Sequence, residues 1–205
     1  DLISSTTDTV FRIYYNGTTT SDYATDATYG AQNVWSNGFV AVWHLGEGNS
    51  TATDFYTDST GNGYDGTLTD GDSDTAESTG KLGSALDFNG DADFISTGLT
   101  WGTDKSEVTV SFWNNVANAE VQSSYAFGAI SGSGERFSGH VPFSDDTIYW
   151  GYGTCCTDGR ASGSYAAYDD KWTHVNLVYR TVPSTLQGIY LDGTLQYSNT
   201  TADEP

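Results

Sequence analysis

Apolar and polar positions alternate with a period of two in short segments along this chain, and Gly, Asn, Asp and Ser bound each segment. A period of two puts successive side chains on opposite faces of a strand, whereas a helix would repeat every three to four residues. On this pattern strands are expected at Val10–Tyr15, Gly38–Leu45, Ser84–Phe88, Asp93–Ser96, Val108–Trp113, Ser124–Ile130, Thr147–Gly151, Trp172–Tyr179 and Gly188–Leu191. The only helix candidate is Ala27–Val34, long enough for a turn or two. Regularly spaced short strands separated by turn residues point to an antiparallel β-sandwich.

Residues 1–37 differ from the rest, with one apolar strand followed by a Thr-rich polar stretch, and read as an extension or the remnant of a preceding domain. The main domain is expected over residues 38–205. The opening DLISSTTDTV has no signal-peptide character, which suggests a mature product or an excised piece. After Leu195 a sandwich of this size would need further closing strands, so a continuing segment or a neighbouring chain is expected to complete the sheet.

Charge narrows the list of partners. The 205 residues carry 7 basic and 27 acidic side chains, a net charge of −20, with Lys only at Lys81, Lys105 and Lys171. Phosphate backbones and anionic lipid both need basic patches, so neither nucleic acid nor a membrane surface is an expected partner. No run approaches the ~20 apolar residues of a membrane span. The acidity fits a well-solvated exterior, Ca²⁺ binding, or both.

In order along the chain, GFVAVWHLGEG, DSTGNGYDGTL, GKLGSALDFNGDADFIS, VTVSFW and KWTHVNLVYR…GIYLDGTL resemble a LamG-like domain of the concanavalin A-like lectin/glucanase superfamily, over Gly38 to Leu195. The segment FRIYYNGTTTSDYATDATYGAQNVW is similar to the end of an uncharacterised domain that precedes such modules in prokaryotic surface proteins. The resemblance implies an all-β, two-sheet antiparallel jelly-roll sandwich in an extracellular or cell-surface protein. It implies no particular reaction, because this fold carries binding, structural and a few catalytic modules.

Glycosidase chemistry needs two carboxylates ~5–9.5 Å apart across a cleft. The acid-bearing central strand of the superfamily's glucanases is here VTVSFW, which has no acid. No Ser-His-Asp or Cys-His set assembles from the sequence, and His44 and His174, both in expected strands, read as structural. A non-catalytic recognition or adhesion module is therefore expected, with carbohydrate as ligand. The alternative is a structural subunit of a filament, sheath or surface layer whose open edges pair with neighbouring subunits.

Two regions carry candidate chemistry. In the loop from Asp58 to Gly66, Asp58, Asn62 and Asp65 can supply hard oxygens to a structural Ca²⁺, and the relatives' similar DxxGNG stretch commonly holds one. The same residues can instead form an Asx-rich turn that satisfies its own backbone. In YWGYGTCCTDGR, the adjacent Cys155 and Cys156 leave three arrangements open: a vicinal disulfide, two free thiols, or bonds to a partner chain. With no other cysteine and an extracellular setting, the vicinal bridge is favoured. Around it, Trp150, Tyr152 and the Cys155–Cys156 face offer stacking surfaces, while Asp158, Arg160 and His140 can meet sugar hydroxyls. Alternation sets a limit, because Tyr149 and Trp150 must lie on opposite faces of their strand.

Overall fold

The computed structural model describes residues 24–28, 30–69, 75–88, 93–99, 107–116, 124–129, 136–151 and 159–200, with the side chains of 124–129, Arg136 and Phe137 excepted. Val10–Tyr15, Tyr152, Cys155, Cys156 and Asp158 lie outside the described residues. By compactness the chain divides into two units, Asp1–Val42 with Ser59–Asn62, and Trp43–Asp58 with Gly63–Pro205.

Among the described residues of the first unit, the regular element is the helix α1, Ala31–Val34, inside the expected Ala27–Val34. Asn33 holds the preceding turn, its Nδ2 donating to the carbonyls of Asp26 at 3.0 Å and Ala27 at 2.6 Å. A strand at Gly38–Leu45 is not found. Val40 and Phe39 are 42% and 48% exposed, and Gly38 and Leu45 adopt positive φ, which breaks the extended run at both ends. Backbone carbonyls of this run go to the 59–62 segment instead: Ser59 N–H donates to Val42 O at 2.7 Å, and Asn62 Nδ2 to Val40 O at 2.9 Å. His44, expected in that strand, is exposed and outside any strand.

The second unit is all-β and antiparallel. Its strands among the described residues are β1 Thr67–Thr69, β2 Ala76–Thr79, β3 Ser84–Asp87, β4 Phe94–Ser96, β5 Glu107–Asn114 and β6 Ser124–Ala129. They continue as β7 Arg136–His140, β8 Thr147–Gly151, β9 Ala161–Ser164, β10 Thr173–Arg180, β11 Leu186–Leu191 and β12 Thr194–Asn199. There are two four-stranded sheets, ordered β12-β11-β10-β5 and β6-β7-β8-β9, and two two-stranded ones, β1 with β4 and β2 with β3.

Alternation builds the core. β10 buries every second residue, and its Val175, Leu177 and Tyr179 stand opposite Phe112, Val110 and Val108 of β5. From β11 come Ile189 and Leu191, while the other four-stranded sheet and its connections supply Val141, Ile148, Trp150, Ala161 and Tyr165 to the same cluster. Removing each such aliphatic or aromatic side chain from water contributes roughly 1.5–3 kcal/mol. Side-chain hydrogen bonds also tie the sheets, among them that of Asn114 Nδ2 to Val141 O at 3.2 Å. Trp150 Nε1 donates to Val178 O at 2.9 Å, and the Tyr197 hydroxyl donates to Ser164 O at 2.7 Å.

One patch of this unit works against stability at neutral pH. Asp146 Oδ1 and Asp169 Oδ1 are shut off from solvent with no hydrogen-bond partner among the described residues. Burial, then the nearby Asp146 and Asp170 charges, raise the Asp169 pKa above its ordinary value. A raised carboxyl pKa means the stabilising contribution is complete below the unfolded value and lost as pH rises through the folded one. Asp169→Asn keeps the neutral form at every pH. It should therefore stabilise the protein at pH 7, by at most about 1 kcal/mol because the residue as a whole is only part-buried, and change nothing near pH 3. Thermal melts of both proteins at the two pH values check this; equal gains at both would contradict it.

Candidate functional site

The Thr147–Gly151 strand sorts its aromatics by parity. Ile148 and Trp150 are fully buried, while Thr147, Tyr149 and Gly151 lie on the outer face. The expectation of Trp150 as a stacking surface is corrected here: its indole fills the core between the sheets, at 0% exposure, and offers a ligand nothing. Its neighbour Tyr149 takes the outward position.

Around Tyr149 the strand register collects a polar and aromatic cluster. His140 of β7 is the cross-strand partner of Tyr149, and their rings meet edge to face at 6.2 Å. Phe143, in the β7–β8 connection, stands edge-on to both, at 5.0 Å from His140 and 6.2 Å from Tyr149. Arg160, just before β9, lays its guanidinium over the Tyr149 ring, 4.2 Å from the centroid. The Tyr149 hydroxyl donates to Asp145 Oδ2 at 2.7 Å, and Thr147 N–H donates to Asp145 Oδ1 at 3.1 Å.

Electrostatics and geometry agree in this cluster. The Tyr149 hydroxyl bond holds the Asp145 carboxyl below its ordinary pKa, and the same bond raises the Tyr149 pKa. At neutral pH the pair is carboxylate and phenol, so Asp145 accepts and Tyr149 donates. The result is a fixed aromatic plane backed by a cation and flanked by an imidazole and a carboxylate. Such a set can pack against the C–H face of a sugar and hydrogen-bond its hydroxyls. Of the residues expected at a ligand site, His140 and Arg160 are brought together. Tyr149, Phe143 and Asp145 join them, and only the parity of the strand could have pointed to Tyr149.

In the loop from Asp58 to Asp65, one oxygen of each of the two carboxylates accepts a backbone hydrogen bond. Within the second unit, Asp58 N–H donates to Asp65 Oδ1 at 2.7 Å and Tyr64 N–H to Asp58 Oδ2 at 3.1 Å. Trp43 Nε1 donates to Tyr64 O at 2.7 Å and closes the loop over Asp58, which is buried. Asn62 belongs to the first unit, where its amide nitrogen is held by Val40 O. Ca²⁺ takes six to eight oxygens. The two carboxylate hydrogen bonds span seven and six positions, longer than the two-residue reach of an Asx turn, and no group of three or more His, Cys, Asp or Glu suited to a metal occurs among the described residues.

A contact that sequence reasoning missed lies on the outer face of the other sheet. Ser111 Oγ stands 3.0 Å from His174 Nε2, a spacing suited to a nucleophile and its base. Asn176 Nδ2 lies 3.4 Å from His174 Nδ1, so each ring nitrogen has a polar neighbour, and the tautomer of the imidazole sets which partner donates.

Compared with known proteins, the chain matches no family model, no curated protein and no solved structure.

Proposed function

We propose that this chain is a non-catalytic recognition module that binds carbohydrate through the outward-facing Tyr149 cluster. The supporting observation is that Arg160, Tyr149 and Asp145 form one connected set, stacked at 4.2 Å and hydrogen-bonded at 2.7 Å, on an outer sheet face with His140 beside it. A ligand meeting this set finds its aromatic plane and polar groups already oriented, which lowers the ordering cost of binding. A LamG-like, concanavalin A-like jelly roll and an extracellular or cell-surface setting go with this reading. The motif order from Gly38 to Leu195 and the pairing of two four-stranded antiparallel sheets support it.

A glycan array of neutral and acidic polysaccharides, probed with wild type, Tyr149→Ala and Arg160→Ala, tests the proposal. Each substitution removes a stacking or charge-assisted contact worth roughly 1–2 kcal/mol, so binding should fall about five- to thirtyfold. Silence of the wild type across the array, or variants indistinguishable from it, removes the reading.

A second reading, a structural subunit that adds strands to its neighbours, has one observation in its favour. β12 (TLQYSN) is an end strand of its sheet among the described residues and carries neither a charge nor a proline to discourage pairing. Light scattering separates the two: a protein that stays monomeric at micromolar concentration is not such a subunit.

A further inference from the structure

The outer face of the β5–β10 pair carries a second group of side chains unrelated to the Tyr149 cluster. Ser111 and Trp113 lie two apart on β5, and the register sets Trp113 opposite His174 and Ser111 opposite Asn176. Four side chains therefore form a two-by-two patch on one face. The Trp113 and His174 rings are 4.9 Å apart at 37°, and the hydrogen bonds to Ser111 and Asn176 fix the imidazole from both ends. Trp113 stays 39% exposed, so much of the largest side chain on this face is open to solvent.

The β2–β3 turn brings a cation to the patch. Lys81 Nζ lies 5.2 Å from the Trp113 ring centroid, and the neighbouring Leu82 is 80% exposed. Although the chain has 27 acidic side chains, Lys81 has no ion pair among the described residues. A solvent-exposed cation–π contact is worth about 0.5–1 kcal/mol, weak enough for the ammonium to turn toward an incoming anion. A part-exposed indole, flanking groups able to bond hydroxyls and an ammonium over its ring together match a sugar ring that bears a carboxylate.

We propose that Trp113, His174, Ser111, Asn176 and Lys81 form a second ligand site, selective for an oligosaccharide carrying uronic-acid carboxylates. The sugar ring packs on Trp113, its hydroxyls meet Ser111 and Asn176, and its carboxylate is held by Lys81. The site shares no residue with the Tyr149 cluster, so either can fail while the other stands.

The test titrates the full isotope-labelled chain with trigalacturonate and, separately, with its methyl ester, which has the same rings and no charge. About 150 mM salt confines the chain's overall negative field to a Debye length of about 8 Å. The readouts are the Trp113 indole N–H resonance, identified by its loss in Trp113→Phe, and calorimetry. Wild type should bind the acid about tenfold more tightly than the ester, the ratio expected of one charge-assisted hydrogen bond. Lys81→Gln should bring that ratio close to one. Trp113→Ala should abolish binding of both forms at this site, and Trp113→Phe should retain part of it. The proposal is overturned if the Trp113 resonance does not move at millimolar trigalacturonate, if acid and ester bind alike, or if Lys81→Gln keeps the preference. It is also overturned if a folded Trp113→Ala, checked by circular dichroism, binds as wild type does.

Discussion

Trp150→Ala is expected to lose about 3–5 kcal/mol of stability, the range for emptying a fully buried aromatic site. The indole is at 0% exposure among Ile148, Ala161, Val175, Leu177 and their neighbours, and it spans from β8 to the Val178 carbonyl of β10. Its removal leaves a void that two sheets held in register cannot close, and one of the inter-sheet hydrogen bonds goes with it. For a chain of this size each kcal/mol moves the melting temperature by about 2–4 °C, so the midpoint should fall by about 6–20 °C. Tyr149→Ala, one residue away on the opposite face, should move it by no more than a few degrees. Thermal melts followed by circular dichroism make the comparison; equal losses at the two positions would mean that alternation does not separate them.

Gly163→Ala is expected to cost about 1–3 kcal/mol, for the opposite reason: no room exists for the added methyl. A Cβ at Gly163 would lie 2.0 Å from the Tyr197 ring, far inside contact distance. That ring is not free to swing aside, because its hydroxyl is bonded to Ser164 O at 2.7 Å. The glycine is what lets β12 cross closely over β9. In a Tyr197→Ala background the obstruction is gone, and Gly163→Ala should become neutral or slightly stabilising, since a strand glycine loses more backbone entropy on folding than alanine does. Denaturant melts of the four proteins in this cycle check it. Additive losses, with Gly163→Ala as costly without the tyrosine as with it, would place the strain elsewhere.

Strands were legible where one face is apolar and the other polar. Thr147–Gly151 matches its expected span, and Trp172–Tyr179 lies within one residue of the observed Thr173–Arg180. Alternation also required Tyr149 and Trp150 to part, but not which one turns inward, because both are aromatic. The opposing sheet decides, by presenting Val175, Leu177 and Ile189 to Trp150's side. β7, β9 and β12 carried no such signal: RFSGH, ASGS and TLQYSN are small or polar, and ladder partners and the Gly163–Tyr197 crossing hold them in place. The apolar run Gly38–Leu45 misled in the other direction, since positive φ at both ends and hydrogen bonds to the 59–62 segment consume what a strand would use. At the candidate sites, residue types were visible but neighbours were not. Ser111 and His174 are 63 positions apart, and only the β5–β10 register makes them touch.

Hydrogen exchange of the tryptophan indole protons reads the inside and outside of both sheets in one experiment. The Trp150 indole N–H, buried and bonded to Val178 O, should persist as long as the slowest amides of β10, exchanging only when the whole unit unfolds. That of Trp113, on the open outer face, should vanish within the first spectrum. A Trp150 indole proton lost as quickly as Trp113's would show that the two faces have been assigned the wrong way round.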